Sequence, residues 1–262
     1  MNILVIPDSH ASPQSPNTRF EALGNLLVER RPDVIVNIGD MADMSTLSSY
    51  DKGLKQAWNK TYKADCESVR NAQEKLFKPL HKYNNTMGKK KKAGYHPRTI
   101  HTLGNHCAGR YESHLQKNPE FEGHIDISDL KYGNYWDEIV PYLQPIIVSN
   151  IAFSHFFYVK SSKYPISSCR IALKAFHSPM VWGHSHSFDF ALDFGIDGRK
   201  ISAVNVGCYL EPDSKVRGDT FSYVGKGSLR WWNGVVMLND VNEYGEFDLE
   251  TISTDRIYRE YL

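Results

Sequence analysis

The sequence predicts an α/β fold built around a parallel sheet, and three observations carry that reading. Short, wholly apolar runs of strand length recur along the chain. The first two are joined by a segment with helical periodicity. Polar residues able to bind metals or move protons stand immediately after five of the runs. With 262 residues, 41% of them hydrophobic and 23% charged, the chain is long enough for one large domain with a full core.

Ile3-Leu-Val-Ile6 is continuously apolar, as expected of a strand covered on both faces rather than of a signal peptide. Residues 18–30 put Phe20, Leu23 and Leu27 on one helical face, and Asp33–Ile38 is a second apolar run. Strand, helix, strand reads as a βαβ unit. Residues 58–83 repeat Trp58, Tyr62, Cys66, Val69, Gln73, Leu76 and Leu80 at helical spacing, and Gly88–Gly94 reads as a loop. Arg98–Leu103 is a third strand. Pro145–Ser154, Met180–Trp182, Lys200–Val206 and Asn233–Leu238 are read as further strands, with a helix over 167–177. No repeat or linker-like composition divides residues 1–262, so a single domain is expected, with a helical insertion at about 44–97.

Net charge is +1, which selects neither a nucleic acid nor a membrane as partner. No apolar run approaches the roughly 20 residues of a membrane helix, and a cytoplasmic, soluble protein is expected. The four cysteines (66, 107, 169 and 208) form no C-x-x-C pair, which argues against a zinc ribbon or redox motif. Cys66 and Cys169 fall in helical patterns and read as core. Trp231-Trp232 reads as a pair covering a sheet. His81, His96, His101, His114, His124 and His177 read as packing or surface histidines.

Asp8-Ser-His10 follows the first strand and Gly39-Asp40-Met-Ala-Asp43 the second. Gly104-Asn105-His106 follows the third, His155 follows Ile151–Ser154, and Gly183-His184-Ser-His186 follows Met180–Trp182. Parallel strands deliver these residues to one edge, where open α/β sheets bind ligands. Carboxylates and imidazoles together suit Mn²⁺, Fe or Zn²⁺. Two such ions can clamp a phosphate for in-line attack, and a histidine off the metals can protonate the leaving oxygen.

The D-x-H, G-D-x-x-D, G-N-H, H and G-H-x-H blocks, in this order from Asp8 to about Gly207, resemble the calcineurin-like metallophosphoesterases, those of DNA-repair and phage type most of all. The resemblance implies a four-layer αββα sandwich holding two divalent ions, Mn²⁺ first, with Fe, Zn²⁺ or Ni²⁺ as alternatives. It implies Asp8, His10, Asp40 and His186 on one ion and Asp40, Asn105, His155 and His184 on the other. His106 is the expected catalytic histidine, supported by Asp43. Asn205-Val-Gly207 resembles the family's N-P-G turn, with Val206 in place of proline. Cys107 stands where the family usually has Asp or Glu, and restoring a carboxylate there is expected to preserve or raise metal affinity.

Phosphodiester hydrolysis in nucleic acid, by an exo- or endonuclease, is the first expected function. The alternative is a phosphodiesterase for small cyclic or linear nucleotides. A protein phosphatase ranks lower, because Thr102-Leu103 replaces the arginine those relatives carry before G-N-H. A non-catalytic metal scaffold ranks last, since every ligand is present. Arg110 is a candidate phosphate contact. Residues 44–98 hold thirteen Lys/Arg against four Asp/Glu, a balance of +9 that leaves −8 for the rest. That excess ends in Lys89, Lys90, Lys91 and Lys92, a candidate contact to a nucleic-acid backbone.

Overall fold

A computed structural model describes residues 1–49, 60–160, 162–211, 213 and 227–262. One sheet holds β1 (Ile3–Ile6), β2 (Val34–Asn37), β3 (Arg98–Thr102), β4 (Glu138–Val140), β10 (Gly234–Asn239) and β11 (Asp248–Ser253), ordered β11-β10-β1-β2-β3-β4. The other holds β5 (Ile146–Val148), β6 (Ile151–Ser154), β7 (Met180–Trp182), β8 (Phe188–Phe194) and β9 (Lys200–Val206), ordered β5-β6-β7-β9-β8. β1 to β4 pair in parallel, as do β6, β7 and β9. The described α-helices are α1 (Thr18–Arg30), α2 (Tyr62–Lys89), α3 (Arg110–Lys117), α4 (Cys169–Phe176) and α5 (Thr254–Tyr261).

The apolar runs are continuous because alternate residues serve two different cores. Ile3, Val5, Val34, Val36, Val236 and Leu238 meet Ile151, Phe153, Val181, Val204 and Val206 between the sheets. Leu4, Ile6, Ile35, Val235 and Met237 face the other way, toward α1, α2 and α5. Met180, Trp182 and Ala203 pack outward against Leu173 and Ala172 of α4. The layers are therefore helix, sheet, sheet, helix, as expected. Among the described residues no helix is long and apolar enough to cross a membrane.

Three expectations need correction. Pro145–Ser154 is not one strand: Ser149 and Asn150 adopt left-handed backbone (φ 45 and 60), and β5 folds back on β6 with Val148 opposite Ile151. Such a pair of positive φ values is what a tight two-residue hairpin requires. The second helix runs to Lys89 rather than ending at residue 83, so the loop begins later; Trp58 lies outside the described residues. β4, β8, β11, α3 and α5 were not expected from the sequence.

Candidate metal centre

β1, β2 and β3 end at the same edge as β6 and β7, and the residues just past them converge there. Backbone strain marks the spot: His10 (φ 43), Asp40 (φ 46), His184 (φ 69) and His186 (φ 58) all hold left-handed conformations. Such conformations cost energy and persist where surroundings enforce them, often at functional sites. Close approach does the enforcing. A Cβ at Gly104 would collide with the Asp40 carboxylate and backbone nitrogen, and one at Gly183 with the Asp8 carboxylate. Only glycine admits these contacts.

Two donor groups share this edge. Asp8, His10 and His186 offer one cluster, with His186 Nε2 3.2 Å from Asp8 Oδ2 and 3.1 Å from His10 Nε2. Asp40, His155 and His184 offer another, with His155 Nε2 3.1 Å from Asp40 Oδ2 and 2.9 Å from Asn105 Oδ1. Asp40 also groups with His10 and His106, so it stands between the clusters. The peptide N–H of His184 donates to Asp8 Oδ2 (2.9 Å), and that of His106 to Asp40 Oδ1 (2.7 Å).

The hydrogen bonds fix which nitrogens face inward. His155 Nδ1 lies 3.0 Å from the Ile38 carbonyl, so it carries the proton and Nε2 points at Asp40 and Asn105. His10 Nδ1 lies 3.2 Å from Asp43 Oδ1, which leaves its Nε2 lone pair facing His186 Nε2. His186 Nδ1 is buried and has no hydrogen-bond partner among the described residues. Imidazole nitrogens and carboxylate oxygens that converge this closely share protons between them and can exchange those protons for a cation. The donor set therefore fits divalent metal ions.

Charge tells the same story. Burial works against ionising Asp40, yet the facing His155 and His106 hold its carboxyl well below the usual range. Asp8 is held down in the same way, burial being outweighed by His155 and His186. Asp43, also opposed by burial, is held well below the range by hydrogen bonds from His10 and His106. His155 rises to about 9 because Asp40 and Asp8 overcome its burial. His10 and His184 both fall to about 4, through burial first and then through a neighbouring histidine, His106 and His155 respectively.

His106 Nδ1 sits 3.1 Å from both Asp43 Oδ1 and the Asp43 carbonyl. The Arg110 guanidinium donates to that carbonyl at 2.5 Å and lies 3.4 Å from His106 Nε2. Arg110 follows a π-helical turn over Asn105–Gly109, a form found often at functional sites. Cys107 is fully buried in this turn, and its sulfur accepts the Gly104 N–H at 3.1 Å. The thiol thus takes the backbone contact a carboxylate would take, and burial pushes it up to about 12. Asn205 donates to Ser185 Oγ at 2.7 Å, steadying the Gly183–His186 turn.

Lys89, Lys90, Lys91 and Lys92 do not join the site. The start of α2 lies at the site edge, where Tyr62 meets Tyr111 and Asp65 accepts from Thr46. Its 28 residues then carry the chain about 40 Å away. There Asn84 binds the Tyr95 backbone and Tyr95 donates to the Pro32 carbonyl, at the edge where β2 and β3 begin. All four lysines are exposed at that opposite end.

The pair Trp231-Trp232 divides its work. Trp232 packs on Phe188 of β8, as a sheet cover does, but Trp231 meets the His186 ring edge-on with centroids 4.3 Å apart. Phe156 similarly abuts His184 (5.0 Å) and His155 (5.3 Å). Phe156 was not singled out in the sequence and Trp231 was read only as a sheet cover, because aromatics read first as packing. Only the position of Phe156 directly after His155 hinted at it. Of the remaining histidines, His101 is a core residue stacked near Tyr132 and Trp136. His81, His96, His124 and His177 are exposed.

No curated protein matches the sequence. Among solved structures 29 chains match; one covers 96% of this chain and 99% of its own length, at 13% identity and a TM-score of 0.35. The calcineurin-like phosphoesterase family profile matches residues 1–164. That stretch is more than half of the chain and takes in the strand ends bearing Asp8, Asp40, Asn105 and His155, so the protein belongs to the calcineurin-like phosphoesterases and is a metal-dependent hydrolase.

Proposed function

We propose that the protein hydrolyses phosphodiester bonds in nucleic acid or nucleotides. Asp8, His10, Asp40 and His186 would hold one divalent ion, and Asp40, Asn105, His155 and His184 the other. The mixed oxygen and imidazole set, with a bridging carboxylate, suits Mn²⁺ ahead of Fe, Zn²⁺ or Ni²⁺. When bound, such ions neutralise charge on phosphoryl oxygens and make water a better nucleophile. His106 stands off the metals in this reading: Asp43 holds its Nδ1 and stabilises its protonated form, which leaves Nε2 turned toward the cavity beside Arg110. Its Nε2 is then the proton donor to the leaving oxygen.

The observation that carries the diester reading is the cavity of about 410 Å³ beside His106 and Asn105. Arg110 is the one Lys or Arg among its described lining residues. A phosphodiester carries one negative charge and a monoester about two at neutral pH, so a single guanidinium suits the diester. The same cavity favours a second reading, hydrolysis of small nucleotides, because its volume fits about one nucleotide and Lys89–Lys92 lie at the far edge.

The test is a manganese-supplemented panel of bis-p-nitrophenyl phosphate, p-nitrophenyl phosphate, cyclic nucleotides, and single- and double-stranded DNA. Preference for the diester over the monoester is expected. A preference for p-nitrophenyl phosphate would defeat the reading. Cleavage of DNA ahead of mononucleotides separates a nuclease from a nucleotide hydrolase.

A further inference from the structure

The cavity beside His106 has a wall that the metal chemistry does not use. Tyr142, from the turn after β4, lines it together with Ser48, Ser113 and Arg110. Behind Tyr142 stands Phe156, edge-to-face with centroids 5.9 Å apart, and Phe156 contacts Tyr158 on one side and His184 on the other, at 5.2 and 5.0 Å. The aromatic row thus begins at the donor cluster and ends at the surface, where Tyr158 is exposed. Tyr142 is held in place: its hydroxyl lies over Gly109, where a Cβ would come within 3.0 Å of it. Burial pushes that hydroxyl up to about 12, so it stays protonated.

We propose that this cavity is the leaving-group subsite and that it takes a nucleoside, its base against Tyr142 and its polar edges on Ser48 and Ser113. The assignment rests on the reading of His106 as the proton donor, since the leaving oxygen must lie at Nε2. Water oxygen bonds to phosphorus as the bond from phosphorus to the nucleoside oxygen breaks. The bonding pair stays with that oxygen, which takes the His106 proton, and the water proton restores the histidine. The products are a phosphate monoester and a free nucleoside hydroxyl. Among the described lining residues, one aromatic wall with hydroxyls and one guanidinium suits one base and one phosphate rather than a duplex.

The test compares kcat/KM of the Mn²⁺-supplemented full chain on thymidylyl-thymidine and on the methyl ester of the thymidine monophosphate it releases. The two differ in whether a nucleoside or methanol leaves. A ratio of about 10-fold or more in favour of the dinucleotide is expected, as stacking of one base provides. Tyr142→Leu should bring that ratio close to one, and Tyr142→Phe should keep it. Ser113→Phe, which fills the cavity from α3, should lower the ratio without touching Tyr142. A parent ratio near one, or a ratio that survives both Tyr142→Leu and Ser113→Phe, would overturn the subsite while leaving the diesterase reading intact. Turnover of p-nitrophenyl phosphate with neither diester cleaved would overturn both.

Discussion

Asp40 adopts a left-handed backbone after β2, accepts the His106 N–H and faces His155, so it touches both donor clusters at once. Asp40→Asn removes the carboxylate proposed to serve both ions, and metal content should fall together with activity; elemental analysis of the purified variant checks this, and full occupancy would contradict it. His106→Ala makes the opposite demand. It should retain metal and melting temperature while turnover falls roughly 10²–10⁴-fold, the usual contribution of a proton donor; lost metal would show that His106 is a ligand. Cys107 reverses an expectation. Its sulfur is fully buried and already takes the Gly104 N–H, with the Tyr132 hydroxyl and the Asp40 charge nearby. Cys107→Asp would place a second carboxylate in that niche and should cost about 1–3 kcal/mol of stability, measured by denaturant unfolding, with no gain in metal affinity. The identity of the departing residue was legible in the sequence; the buried niche that decides its effect was not.

Helices α1 and α2 pack through a point where no side chain fits. A Cβ at Gly24 would strike the Leu76 carbonyl and the Pro79 ring, so Gly24 and Pro79 together set how closely the two helices approach. Gly24→Ala gains helix propensity but forces the pair apart, and a net loss of about 1–3 kcal/mol is expected from overpacking; a thermal melt at or above the parent's would contradict it. Such element-scale facts explain what could be read beforehand. β1, β2, β7 and β10 were legible because both of their faces are buried, so apolar residues run through them with a polar residue only at the end, and β9 is buried from Ser202 to Val206. β8 and β11 were not, because β8 is partly to fully exposed along its length and β11 interleaves Glu250, Thr251 and Asp248 with its apolar residues. The site was legible for a related reason. Its residues follow legible strands directly, whereas Tyr142 and Trp231 reach it from irregular segments. Where the lysine run sits was not legible, because adjacency in sequence says nothing across a helix of 28 residues.

At the scale of the molecule, the site is shared between the two sheets. Asp8, His10 and Asp40 follow strands of one, and His155, His184 and His186 follow strands of the other. A metal bound by both groups favours the folded state, by about 2.7 kcal/mol when its concentration is 100 times Kd. Protons compete for the same nitrogens, and the direction follows from the shifts. His10 and His184 titrate at about 4 and His101 at about 3 when folded, against 6.5 unfolded, with burial the main cause. Below pH 6.5 the unfolded chain therefore binds protons that the folded one refuses, and stability falls as pH falls. His155 is the reverse case at about 9. Its contribution is fully present below pH 6.5 and is lost as pH rises through 9. The metal-free protein should accordingly be most stable near pH 6.5. A metal ion at His155 Nε2 displaces that proton, so metal affinity should rise as pH increases from 6.5 toward 9, by up to about tenfold per unit for this one proton. The melting temperature with Mn²⁺ minus that with EDTA should then widen between pH 6.5 and 8.5, as apo stability declines and affinity grows. A gap that stays constant or narrows over that range would show that His155 is not the proton-bearing ligand. His155→Gln, which has no proton to displace, should flatten the trend whatever its absolute affinity.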